Sequence, residues 1–154
     1  MNPFDEARDR STAAAKASID LIEQFFQTLE SMDFEAVGRF FTEDGLYRDE
    51  PSHEADATGP EAVTAKLAAA ITGLAGFVTG VDTVVGDADR VTSRRTEEWH
   101  FPTGEVAKLP VVCIHEIEGG KIKRWHEFWN MPSLMEQMPP SWMEEIVKRA
   151  SGDA

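Results

Sequence analysis

Apolar residues recur at helical spacing in the first part of the chain and at every second position in the last part. Ile19, Ile22, Phe25, Phe26 and Leu29 share one face of a helix that Ser11 or Thr12 can cap. Asp33 caps a second, short helix over residues 33–41. Residues 45–51 read as a short strand ended by Pro51. Residues 52–58 are polar and predict a loop. Gly59-Pro60-Glu61 opens a third helix that runs to about Thr72, with Pro60 in a first-turn position. From there the period is two. Strands are predicted over 77–85, 90–101, 106–117 and 121–130, with turns at Pro102-Thr103-Gly104 and Glu118-Gly119-Gly120. Turns this short make neighbouring strands antiparallel. Pro110 marks a bulge or an edge position. Residues from Met131 read as a loop, followed by a C-terminal helix over 141–149.

Helices that segregate from strands define the α+β class. The expected architecture is a cone-shaped, curved antiparallel sheet packed on three N-terminal helices, plus the C-terminal helix. Residues 1–10 are polar and predict a flexible tail ahead of a single domain over 11–154. A chain of 154 residues suffices for one buried core. The net charge of −13 repels phosphate and argues against a nucleic-acid partner. The single cysteine, Cys113, excludes an internal disulfide and fits a reducing cytoplasm. No Cys/His spacing suits zinc, and no metal or cofactor is expected. The first ten residues lack the apolar core of a signal peptide, and no apolar run reaches the length of a membrane span.

The candidate chemistry lies on two strands. In the last one, Trp125, Glu127 and Trp129 share a face. In residues 90–101, Arg95, Glu97, Trp99 and Phe101 share a face. A carboxylate beside large apolar rings is costly unless it is paired or used. Two carboxyls and one guanidinium in an aromatic pocket make a compact acid/base site. The bland readings are a rim position for Glu127 and a surface ion pair for Arg95 and Glu97. On the early strand, Tyr47 and Asp49 share a face: either a core ring and a strand-end residue, or a pair that holds a water. On residues 106–117, Leu109, Val111, Cys113 and His115 share a face. Cys113 reads as a small packing residue, and His115 as either core or site. Met131, Met135 and Met138, with Trp142, read as an apolar lid or a dimer contact.

These residues give the chain a resemblance to the limonene epoxide hydrolase and SnoaL-like branch of the nuclear-transport-factor-2-like superfamily. The matching segments are Tyr47-Arg48-Asp49, Arg95-Thr96-Glu97 and Trp125-His126-Glu127. The epoxide hydrolases carry Tyr-x-Asn, Arg-x-Asp and Trp-x-Asp at these places. The resemblance implies that Tyr47 and Asp49 hold a water, Glu97 is the acid, Glu127 the base and Arg95 an orienting cation. Both family aspartates are glutamates here, and the asparagine is Asp49. The superfamily's steroid isomerases keep a base before a proline on the first strand, which makes Glu50 a secondary candidate. His53 lies in the loop after it.

The expected function is therefore a cofactor-independent acid/base enzyme for a hydrophobic or aromatic small molecule, most simply one that adds water to an epoxide. Trp99, Trp125, Trp129, Leu109, Val111 and His115 are the expected substrate-binding residues. A lyase, cleaving by elimination or retro-aldol as the superfamily's lignin-derived diaryl lyases do, or an isomerase or dehydratase, would use the same pocket. A non-catalytic small-molecule-binding module is the alternative of another class. A homodimer is the expected assembly.

Overall fold

In a computed structural model that describes residues 2–152, the chain begins with a helix, α1 (Pro3–Asp9), where a flexible tail was expected. Met1 and the last two residues of the expected domain lie outside the described residues. Asn2 caps α1 by accepting from the Asp5 backbone N–H at 2.9 Å, and Pro3 stands in the first turn. Phe4 and Ala7, three apart, are buried. The Phe4 ring centroid lies 6.4 Å from that of Phe26. Two apolar residues among charged ones form a stripe too short to register as a period, yet wide enough to dock one helical face.

The expected first helix is α2 (Ala13–Glu30), capped by Thr12, with Ile19, Ile22, Phe25, Phe26 and Leu29 buried. α3 (Phe34–Gly38), capped by Asp33, ends earlier than expected because Phe41 already belongs to β1 (Phe41–Asp49). The 52–58 loop holds a 3₁₀ turn (His53–Ala55) and a short strand, β2 (Ala57–Thr58). α4 (Pro60–Ile71) matches the third predicted helix.

The strand expected over 77–85 is two, β3 (Gly76–Val78) and β4 (Val81–Gly86). Gly80 separates them with φ +55°, and a Cβ there would lie 2.3 Å from the Thr96 carbonyl oxygen. The break exists because the backbone approaches β5 too closely for any side chain. β5 (Arg90–His100), β6 (Val106–Glu118) and β7 (Lys121–Phe128) form the expected meander. Pro110 sits on the stretch of β6 that extends beyond its pairing with β7, where no donor is needed on that side.

After β7 the expected loop is a helix, α5 (Met131–Gln137), and α6 (Pro140–Ser151) follows. Asn130 caps α5 through the Ser133 N–H at 2.8 Å. The Gln137 side chain accepts from the Lys108 N–H (2.9 Å) and donates to the Lys108 carbonyl (3.0 Å). It thereby satisfies the β6 edge that β7 leaves open.

The seven described strands run in the order β2-β1-β7-β6-β5-β3, with β4 also on β5. The sheet is curled and unclosed. One expectation is corrected: β1 runs parallel to β7, so the sheet is mixed. β1 and β7 are joined through α4 and the whole meander, and a connection that long does not dictate antiparallel pairing. α2 lies against the concave face, with the Phe25 ring edge on Trp125 at 4.8 Å. No helix among the described residues is long and apolar enough to cross a membrane.

Candidate active site

The parallel pairing of β1 and β7 places Tyr47 beside Trp125 and Asp49 beside Glu127. Across β6, Cys113 stands next to Glu127, and β5 brings Arg95 and Glu97 opposite Val111 and Leu109. Period-two alternation turns all of these toward the concave face. Arg95 is 0% exposed, Glu127 3%, Glu97 6% and Asp49 7%, which rules out the rim and surface-pair readings.

Arg95 holds the centre. Its Nε and Nη2 donate to Glu97 Oε1 at 3.1 and 2.5 Å. Nη2 also donates to Glu127 Oε1 at 2.6 Å, and Nη1 to Glu127 Oε2 at 2.7 Å. Nη1 reaches Cys113 Sγ at 3.3 Å. All five N–H groups of the guanidinium are thereby used. The two carboxylates meet one nitrogen from different sides, so a single cation fixes their separation. Glu97 Oε2 accepts from Trp99 Nε1 at 2.9 Å.

The electrostatics follow from burial. Loss of solvent pushes the Glu127 carboxyl up to about 7; the charge and hydrogen bonds of Arg95 oppose this, and Glu97 and Asp49 add to it. Burial lowers the Arg95 pKa, but the charges of Glu127 and Glu97 outweigh it and keep the guanidinium firmly protonated. Burial, with Asp49 next, raises the Tyr47 hydroxyl well above its ordinary value, so it remains an O–H. Burial also pushes the Cys113 thiol up to about 12, consistent with a packing residue.

Asp49 has its own set of partners. Its Oδ1 accepts from Trp129 Nε1 at 2.9 Å and from the Tyr47 hydroxyl at 3.3 Å. Lys66 of α4 places Nζ 2.9 Å from Asp49 Oδ2 and 3.9 Å from the Tyr47 ring centroid. The Tyr47 ring stacks on Trp125 at 4.0 Å.

These groups border a cavity of about 460 Å³ between the sheet, α4, α5 and α6. Tyr47, Asp49, Glu97 and Glu127 reach it, as do the expected binding residues Trp99, Trp125, Trp129, Leu109 and Val111. Arg95 lies behind the carboxylates, outside the cavity lining. One expected binding residue does not reach the cavity. His115 is not a substrate contact: it is 0% exposed beneath Trp125, its ring parallel to the indole at 5.9 Å. Burial pushes its pKa down to about 3, so it packs as a neutral ring.

Glu50 and His53 stand outside the cavity. Glu50 pairs with His126 at 2.5 Å and His53 at 3.2 Å, and the loop between reaches the cavity through Ser52 and Ala55. Among the described residues no cluster of three His, Cys, Asp or Glu side chains is arranged to hold a metal ion.

Sequence reasoning missed Lys66, although a signal was present: it is the only charged residue between Glu61 and Asp82. The Met131, Met135 and Met138 group lines the cavity, joined by Leu134, Met143 and Ile146.

A model of the SnoaL-like domain matches residues 22–125 of the chain. No curated protein matches it. Among solved structures, an LEH-like epoxide hydrolase from M. tuberculosis is 17% identical, with TM-score 0.68, over 90% of this chain and 98% of that one. A structure described as a SnoaL-like polyketide cyclase from Jannaschia sp. CCS1 is 16% identical, with TM-score 0.72, over 84% and 97%. The epoxide hydrolase/cyclase-like enzyme SalBIII, of pyran ring formation in the polyether salinomycin, is 18% identical, with TM-score 0.63, over 74% and 91%. At these identities the likeness is one of fold.

Proposed function

The chain belongs to the SnoaL-like domain family, of the nuclear-transport-factor-2-like superfamily, and from that premise we propose that it is a cofactor-independent acid/base enzyme that adds water to a hydrophobic, aromatic epoxide. The observation that carries the proposal is the arrangement of Glu97 and Glu127 on one buried guanidinium at the wall of an apolar cavity. A carboxyl raised to about 7 is matched to proton transfer near neutral pH.

In the proposed reaction a water donates one hydrogen to Glu127 and the other to Asp49, leaving a lone pair toward the substrate. As its oxygen bonds to an epoxide carbon, Glu127 takes a proton and the carbon–oxygen bond of the ring breaks. The pair's single proton, placed on Glu97 in the reacting state, goes to the released oxygen, and the product is a diol. The proton on Glu127 then returns to Glu97 through solvent as the product leaves. Arg95 has no N–H to spare for the substrate, so its part is to fix both carboxyls and to carry the charge between them. Trp125, Trp99 and the methionines of α5 and α6 exclude bulk water and offer rings and sulfur to an aromatic substrate.

Turnover of a panel of aryl epoxides tests this. Glu127→Gln and Glu97→Gln are each expected to lose about a hundred- to ten-thousandfold in kcat while remaining folded. A folded Glu127→Gln protein with wild-type turnover removes the assignment.

One observation favours a second reading. The cavity falls within the range of about 300–1,000 Å³ typical of drug-sized ligands, and a single-ring epoxide would leave much of it empty. A two-ring substrate with a hydroxyl in place of the attacking water would undergo elimination or retro-aldol cleavage with the same pair. The homodimer and the cytoplasmic setting expected from sequence complete the proposal. Val112 and Phe128 are exposed on the outer face of the sheet, where a second copy would pack, and sedimentation gives the mass.

A further inference from the structure

Lys66 is an unusual residue for its place. On α4, Val63, Leu67 and Ile71 face the core, and Lys66 extends from the same helix beside alanines into the wall of an apolar cavity. Its Nζ is buried and makes no well-directed hydrogen bond, although it stands 2.9 Å from Asp49 Oδ2. The contact is one of charge, and an ammonium in such a setting is costly unless its charge is needed.

The need appears when the charged groups facing this corner are taken together. β1 supplies Asp49 and the neutral Tyr47, β7 supplies Glu127, and β5 supplies Arg95 and Glu97. Behind them on β6 lie the neutral Cys113 and His115. In the loop before α4, Asp56 is neutralised by Arg48 at 2.5 Å. From α6, Arg149 reaches the cavity with Nη1 on the Ala69 carbonyl at 3.2 Å, and its charge is balanced outside the corner by Glu145, 3.9 Å from Nη2. The buried set is three carboxylates against two cations, Arg95 and Lys66. One bound proton makes it neutral, and one proton is what a push–pull pair requires. Without Lys66, neutrality would take two protons, and the base would be occupied.

We infer that Lys66 is a positioning residue whose charge cancels Asp49 and so leaves the Glu97–Glu127 pair with a single proton. This rests on the acid/base reading of the pair. The geometry supports it on both sides: Asp49 stands in register with Glu127, and Lys66 contacts Asp49 without touching either glutamate. Asp49 and Lys66 together do what one uncharged residue would do at the same place.

The test uses the full chain labelled with ¹³C at the glutamate carboxyls, with the Glu127 resonance assigned by its loss in Glu127→Gln. Titration of that resonance needs no substrate, so its result is separate from whether any epoxide is turned over. Lys66→Met is expected to move the Glu127 midpoint upward by about one pH unit, a tenfold rise in proton affinity. Asp49→Asn, which removes the negative partner, is expected to move it downward. The neutral pair Lys66→Met/Asp49→Asn is expected to titrate like wild type. If Lys66→Met does not fold, the double variant decides: a midpoint in it like wild type, above that of Asp49→Asn, supports the inference, and equal midpoints in the double variant and Asp49→Asn overturn it. Folded single variants that both titrate like wild type also overturn it. A site that titrates as inferred but turns over no epoxide or diaryl substrate would count against the enzyme alone.

Discussion

Burial raises the affinity of Glu127 for a proton against the pull of Arg95, and this has a consequence for stability that can be signed. In the unfolded chain the carboxyl titrates near its ordinary value of 4.5; in the folded chain it titrates at about 7. Between these values the folded state holds a proton that the unfolded state has released, so this group's contribution to stability falls as pH rises through that window and is level above it. Thermal melting of wild type and Glu127→Gln from acid to neutral pH should show the variant gaining on wild type as pH rises, by on the order of 1–3 kcal/mol. Parallel curves would mean that Glu127 titrates as an exposed carboxyl. Much at this scale was legible in sequence. Alternation along a strand assigns faces, and it turned Tyr47, Asp49, Arg95, Glu97 and Glu127 inward. Depth was not legible, because period two says which side a residue takes and not what covers it. His115 and Trp125 share the inner side, yet the helix α2 seals the histidine while the cavity reaches the indole. Lys66 escaped because a helix with three core positions leaves the direction of its flanks to tertiary packing.

At the scale of elements, the chain ends carry the lesson. Residues 1–10 read as irregular because their apolar residues are few and separated by charge, and residues 131–138 because a proline-flanked run carries its helical spacing (Met131, Leu134, Met135, Met138) over only two turns. Both are helices held by particular contacts: Phe4 on Phe26 for α1, and the Gln137 clamp on Lys108 for α5. Periodicity is read over windows of about 11–18 residues, and α1 and α5 have seven each. If α1 is an integral layer, Phe4→Ala should cost about 2 kcal/mol or more in denaturant unfolding, toward the range of buried Phe→Ala changes. A cost near zero would return the segment to a tail. The break at Gly80 was hidden for another reason. Val78, Val81 and Val84 continue a strand-like run, and only the approach of the Thr96 carbonyl explains why a glycine interrupts it.

For the molecule as a whole, sequence supplied the class and the cone but not the pairing that makes the site. Alternation carries no information on partners, and the parallel junction of β1 with β7 closes the gap between the first strand and the last. That junction sets Asp49 beside Glu127, while α4, α5 and α6 wall the cavity above them. The whole arrangement is thus a concave apolar sheet face with one line of polar groups across it, bordering the cavity. Whether this line adds water is decided by running the turnover of an aryl epoxide, chosen for two-ring size, in ¹⁸O-water and weighing the product. A diol carrying one labelled oxygen is expected. An unlabelled carbonyl isomer of the epoxide, or no turnover of any epoxide of that size, would contradict water addition.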